Sequence, residues 1–233
     1  LRVRAHVLTL VVPLLIVMLA GCSSPRGRDD HLVVLVPGVA GDGPWYDGLK
    51  REIRRQTDAT LVVHRWGLPG PGFVANFNNK SIHEDAESSL AERLQDLRAA
   101  HPHARIDIIT HSAGGGVALG ALQQSADVEI DRLVLLHPAV SPGYDLGSVS
   151  KHVACIDVFH STGDVFFLSW RASTFGTYDG VKTDAAGRVG FDQLPPNATQ
   201  HEITGGHFAG TKPQLVRAQV APLLVRSAEA IPR

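Results

Sequence analysis

The chain has 233 residues, 44% of them hydrophobic and 19% charged, with a formal net charge of -1 at pH 7. That length and mixture allow one sizeable core and exclude a chain dominated by disorder or by a collagen-like repeat. So balanced a charge lacks the basic field that neutralising phosphates demands, so nucleic acid is not an expected partner.

The first segment reads as an export signal. Arg2 and Arg4 precede the apolar run AHVLTLVVPLLIVMLA, small residues follow it, and the whole is short for a membrane span. Its end, LAGC at Leu19–Cys22, resembles the bacterial lipobox. That resemblance implies cleavage of residues 1–21, a lipid on the sulfur of Cys22 and a cell-envelope location, with the membrane as partner through the anchor. The alternative is an ordinary signal peptide with an incidental cysteine. The polar stretch 22–30 is expected as a flexible tether, and 31–233 as the folded domain. With Cys22 assigned to lipid, Cys155 has no intrachain partner and is expected as a small core residue.

Six short apolar runs then recur, spaced to leave room for crossover helices: HLVVLV (31–36), TLVVHRW (60–66), RIDIIT (105–110), RLVLLH (132–137), VACIDVF (153–159) and QHEIT (200–204). Most are continuous in β-branched residues and leucine, the pattern of strands buried on both faces of a parallel sheet. Between them lie helical periodicities. Leu49 and Ile53 fall four apart, Leu90, Leu94 and Leu97 share one face, and KPQLVRAQVAPLLVRS closes the chain with Pro222 set to kink or divide it. Strand and helix in alternation predict a three-layer α/β sandwich, mostly parallel and about six strands wide. Two segments break the rhythm, 67–81 and roughly 165–198; their aromatics, among them Phe73, Phe77, Phe166, Phe167, Trp170, Phe175 and Tyr178, favour folded covers.

Chemistry concentrates where the third strand stops. RIDIIT runs into His111, Ser112, Ala113 and then Gly114, Gly115 and Gly116, so a hydroxyl stands between a strand and a helix among residues almost without side chains. This is the setting of a nucleophile elbow, in which strand and helix pass too closely for bulk and the helix N-terminus offers free amides. A serine needs a base, and the base an orienting acid. Asp164 follows the fifth strand in HSTGD, and His207 follows the sixth in GGH. After the first strand, the turn at Pro37 and Gly38 can aim the Val39 amide at the same point as the Ala113 amide, forming an oxyanion hole.

Over residues 31–227 these landmarks, in this order, resemble the α/β-hydrolase superfamily. The resemblance implies acyl transfer to water through an acyl-enzyme on Ser112, with Asp164 and His207 completing the triad, and no metal or organic cofactor. A small-molecule or lipid ester or thioester is the expected substrate, and a monomer the expected state. Departures exist: Thr110 stands where the elbow usually opens with glycine, and no HGGG motif is present. Other readings stay open. Ser112 could cap a helix, Asp164 could be a turn residue with Asp145 or Asp192 as the acid, and His111 could wall the site. Trp45 and Trp66 could line an acyl pocket or fill core, and the HPH at 101–103 lacks a third ligand for a metal. A non-catalytic tethered scaffold, or an acyltransferase using another alcohol, are the alternative functions.

Overall fold

The six apolar runs pair into one sheet. The computed structural model describes residues 31–125, 127–165 and 176–225. Strands β1 (His31–Val36), β2 (Thr60–Val63), β3 (Arg105–His111), β4 (Ile130–Leu136), β5 (Val153–His160) and β6 (Ala198–Glu202) lie in the order β2-β1-β3-β4-β5-β6. Every neighbouring pair is parallel. The chain builds outward from β1 to β2, then returns to the other side of β1 with β3. That reversal opens a crevice at the strands' carboxyl ends, between the loops that follow β1 and β3.

Period-two alternation assigns the two cores. Leu32, Val34 and Val36 join one cluster and Val33 and Leu35 the other. The first is covered by α2 (Lys80–Ala100) and α3 (Gly114–Gln124), through Leu90, Leu94, Leu97, Val117 and Leu122. The second is covered by α1 (Asp47–Gln56), through Leu49 and Ile53, and by the C-terminal helical run, through Val216, Val220 and Leu224. Cys155 is a buried free thiol, and burial pushes it above the ordinary cysteine value. No helix among the described residues is long and apolar enough to cross a membrane.

Several boundaries differ from the sequence expectation. The last strand is shifted to Ala198–Glu202, because Asn197 and Thr199 continue the β5 pairing while Ile203 already turns into the second core. Helix α2 starts at Lys80, before its apolar periodicity begins, because the Asn79 side chain accepts the Ile82 amide and caps it. The 67–81 segment is not plain loop: Gly70–Phe77 winds into 3-10 turns. Its buried Asn76 bonds both ends of Leu68 and donates to the Val39 carbonyl at 3.0 Å, so this cover is tied to the loop after β1. In the second excursion, Phe166, Phe167, Trp170 and Phe175 lie outside the described residues, as do the proposed leader, tether and Cys22. Tyr178 packs as a cover: its ring stacks on His83 at 3.9 Å and its hydroxyl donates to Glu87 at 2.9 Å. Near the C-terminus the helix does not break at Pro222; a π turn at Val216–Val220 precedes it. Proline cannot donate to the carbonyl four residues back, and the widened turn absorbs that missing bond.

Charged groups cross the second face of the sheet. Asp107 contacts His31 at 2.9 Å and Arg105 at 2.8 Å, while Asp157 is shared by Arg132 and by His201 at 2.8 Å. Arg132 and Asp157 are both buried, and each offsets the desolvation of the other's charge. Asp157→Ala therefore leaves Arg132 without a counter-ion, and urea titration is expected to show about 3–5 kcal/mol lost stability.

Candidate active site

Only two residues, Ser112 and Ala113, separate the end of β3 from the start of α3. The turn is made by Ser112 itself, whose φ of 56° lies in the left-handed region. A side chain there costs on the order of 1–3 kcal/mol, and such strain persists only where surrounding bonds impose it. The imposing bonds are visible. The Ser112 amide donates to the Leu136 carbonyl at 3.0 Å, and its carbonyl accepts from Gly115 at 3.0 Å and Ala139 at 3.1 Å.

The glycines are required by close approach. A Cβ on Gly114 would lie 2.3 Å from the Val36 carbonyl oxygen, and one on Gly116 would lie 2.2 Å from the Tyr178 ring. Thr110 is accommodated, buried, with its hydroxyl donating to the Val134 carbonyl at 3.4 Å. On the other side of the crevice, a Cβ on Gly38 would lie 3.2 Å from the Ser112 Cβ, so the loop after β1 runs against the elbow.

A buried chain of hydrogen bonds fixes that loop. The Gly38 amide donates to the Tyr46 hydroxyl at 2.9 Å, which bonds His111 Nδ1 at 2.8 Å; His111 Nε2 bonds the His207 carbonyl at 2.8 Å. Because a carbonyl only accepts, His111 Nε2 carries the proton and Nδ1 accepts from the Tyr46 hydroxyl. Burial, followed by the nearby His207, holds His111 well below the ordinary histidine value, so the ring stays neutral. His111 is thus a brace between the loop after β1 and the histidine turn. With Gly38 occupied, the Val39 and Ala113 amides are left without hydrogen-bond partners among the described residues. Trp66 is mostly buried and donates to the Pro37 carbonyl at 2.8 Å, which makes it core and a second anchor of the same loop. Trp45 stays exposed, its ring 6.1 Å from that of Phe208.

The acid and base turns are joined to each other. Ser161 donates to the Gly205 carbonyl at 2.6 Å, and a Cβ on Gly163 would meet the same oxygen at 2.8 Å. This close stitch brings Asp164 under His207, whose Nδ1 donates to Asp164 Oδ2 at 2.6 Å. The neighbouring His137 also faces Oδ2, with its Nδ1 at 3.4 Å. Burial alone would raise the Asp164 carboxyl; the neighbouring imidazoles of His137 and His207 outweigh it and hold the group well below the usual carboxylate range. Asp145 instead accepts the Gly147 amide, and the Asp192 amide donates to the Pro142 carbonyl at 2.9 Å.

His137, Asp164 and His207 offer ligand atoms within 4.8 Å of one another, the one such group among the described residues. A cation between them would have to displace both imidazole protons. On His137 that proton is placed by the Gly210 amide, which donates to Nε2 at 3.2 Å and leaves Nδ1 as the protonated atom. The 2.6 Å contact to His207 has the length of a charge-assisted hydrogen bond, and the donor set fits that role better than a metal site. The histidines at 101 and 103 join no such group.

Ser112, Asp164 and His207 therefore lie beyond the carboxyl ends of β3, β5 and β6, with β4 between the first two, while Ala113 shares the turn of Ser112 and Val39 lies on the loop after β1. No model of a protein family and no curated protein sequence matches the chain. Solved structures do. A Butyrivibrio proteoclasticus protein, Est1E, with ferulic acid bound, superposes with a TM-score of 0.59 at 13% identity, covering 88% of this chain and 92% of its own. The Pyrococcus furiosus esterase PF2001 gives 0.55 at 12% identity, covering 85% and 82% respectively. The chain has the α/β-hydrolase fold. Aspergillus fumigatus lipase B gives 0.52 at 14% identity; 89% of this chain is covered, and it spans 57% of the lipase's length.

The sequence did not single out Tyr46 or His137. His137 had a readable signal, a polar residue at the end of an apolar strand followed by proline, the same position that Ser112 holds after β3. Tyr46 had none, since its role depends on a ring 65 residues away in the chain.

Tyr46→Phe removes one oxygen and strands two buried groups, the Gly38 amide and His111 Nδ1. Denaturation should show a loss of about 1–3 kcal/mol. Acid should weaken the fold. His64, His83, His111 and His137 are each held below the ordinary value, burial being the first cause. The unfolded chain takes up these protons near pH 6.5 while the folded one does not, so stability is full above about pH 6.5 and falls as pH is lowered through it. Urea midpoints measured from pH 7.5 to 5 should decline steadily, and a flat profile would contradict neutral burial.

Proposed function

We propose that the protein is a serine hydrolase that cleaves a carboxylic ester or thioester through an acyl-enzyme on Ser112. The observation that carries this reading is the 2.6 Å bond from His207 Nδ1 to Asp164 Oδ2, made on a turn that the His111 ring holds beside the elbow. With Nδ1 donating to the carboxylate, Nε2 is the ring atom that takes the serine proton in this reading.

In the proposed cycle the Ser112 hydroxyl proton passes to His207 Nε2 as Oγ bonds the acyl carbon. The Val39 and Ala113 amides stabilise the oxyanion, for which they are unpartnered. The carbon to leaving-group bond then breaks, and the imidazolium returns its proton to the departing alkoxide or thiolate. Water repeats the sequence in reverse, giving the acid and free Ser112. Est1E holds ferulic acid, and the other neighbours are described as an esterase and a lipase, which supports ester chemistry in this crevice. The exposed Trp45 and Phe208 beside the site favour an apolar acyl or alcohol group. Envelope location and lipidation of Cys22 rest on the sequence of residues 1–30 and belong to the same proposal; incorporation of labelled palmitate, lost in Cys22→Ala, tests them.

A fluorophosphonate probe should label the protein, and Ser112→Ala should abolish labelling. With p-nitrophenyl esters of increasing chain length, the same substitution should lower kcat by at least roughly 1,000-fold. Undiminished hydrolysis by folded Ser112→Ala protein would refute the serine mechanism.

A further inference from the structure

The two non-glycine residues of the described chain with positive φ are Ser112, at 56°, and His137, at 48°. The first is the elbow. The second follows β4 in the same way that Ser112 follows β3, and it is completely buried. A bulky residue in this conformation is uncommon, and strain of this kind gathers where a side chain must be aimed. The two turns are interlocked. Ser112 donates to the Leu136 carbonyl at 3.0 Å, Ala139 donates back to the Ser112 carbonyl at 3.1 Å, and His137 itself donates to the Phe159 carbonyl at 2.8 Å. Strands β3, β4 and β5 are thereby held together at their carboxyl ends.

What the strain achieves is the position of one ring. Its Nε2 accepts the Gly210 amide at 3.2 Å, so the proton is on Nδ1, and Nδ1 points at Asp164 Oδ2 from 3.4 Å. Within ordinary hydrogen-bond geometry that Nδ1 is left unsatisfied among the described residues, the Asp164 approach included. The contact is long for a hydrogen bond and is an approach of an N–H group to a carboxylate oxygen. Other titratable rings surround it: His207 at 6.0 Å, His111 at 6.2 Å, and His160 further along β5. Burial holds His137 below the ordinary histidine value, so it remains a neutral donor.

We propose that His137 is a positioning residue that donates its Nδ1 proton to Asp164 Oδ2, orienting the carboxylate and sharing the oxygen that also receives His207. This rests on the serine hydrolase reading above. A carboxylate that serves two donors holds less of its charge for the imidazolium formed in the reaction. Taking His137 away therefore strengthens the hold of Asp164 on a protonated base, and the acidic limb of the pH profile moves to higher pH.

Two substitutions separate the ring's two bonds. His137→Asn keeps a donor near the Nδ1 position and tolerates positive φ, while giving up the Gly210 contact. His137→Gln keeps an acceptor near the Nε2 position for Gly210 and removes the donor to Asp164. The readout is the second-order rate of fluorophosphonate labelling of Ser112 between pH 5 and 9, with thermal unfolding of each variant alongside. In His137→Gln the rate at pH 7 should fall roughly 10-fold, the scale seen when a partner orienting a catalytic ligand is removed. Its acidic limb should move up by about half a pH unit. His137→Asn should leave the limb in place.

In the unaltered protein, nitrogen-15 NMR should find His137 as the neutral Nδ1–H tautomer from pH 6 to 9. The Nε2–H tautomer overturns the proposal, and so do equal limb shifts in both variants or rates that fall only in step with thermal stability. Absence of labelling in the unaltered protein would instead overturn the hydrolase reading, and this inference with it.

Discussion

The backbone of the loop after β1 passes so close to the first turn of α3 that a methyl group would not fit between them. A Cβ on Gly114 would stand 2.3 Å from the Val36 carbonyl oxygen, well inside van der Waals contact. From this approach much of the site follows. It forces the strand-to-helix turn to be sharp, which drives Ser112 to positive φ, and it sets the β1 loop against the face of the serine. It also lies at the place where the sheet's winding reverses, between β1 and β3, the crevice where open parallel sheets bind ligands.

Around that approach the protein uses hydrogen bonds whose directions leave little freedom. Tyr46 and His111 form a line from the Gly38 amide to the His207 carbonyl, and each proton along it has a single consistent position. Asn76 adds a tie from the cover at 70–77 to Val39. The ion pairs of the sheet, buried Arg132 with Asp157 and partly exposed Arg105 with buried Asp107, lie further back along the strands. Near the elbow, by contrast, His111 and His137 are buried neutral, and Asp164 is the buried carboxylate they help to hold. A charge that forms during reaction then meets fixed dipoles in place of mobile counter-ions.

Much of this was legible in the sequence, for reasons that can be named. Strands buried on both faces must be apolar throughout, so β1, β3, β4 and β5 stand out as continuous runs. The elbow is legible because the close approach leaves a string of glycines behind it. The edge strand β6, ATQHE, has partly exposed positions and little apolar signal, and its bounds were displaced accordingly. The start of α2 was hidden because a capping asparagine, not periodicity, decides it. His137 leaves only the mark of a polar residue closing an apolar strand, while its φ and its ring direction are properties of the fold. Tyr46 leaves none, because a bond to a ring 65 residues away makes no local pattern.

The glycines have one further effect, on the helix that carries them. Helix α3 is GGGVALGALQQ, four glycines in eleven residues, a composition with poor intrinsic helicity. It winds because α2 and the sheet enclose it, with every residue from Gly114 to Leu122 buried. Its survival as a helix is thus a collective property of its neighbours. What holds the first turn of α3 in shape, and Ser112 ahead of it, is therefore the packing of α2 and the sheet and not the helix's own sequence.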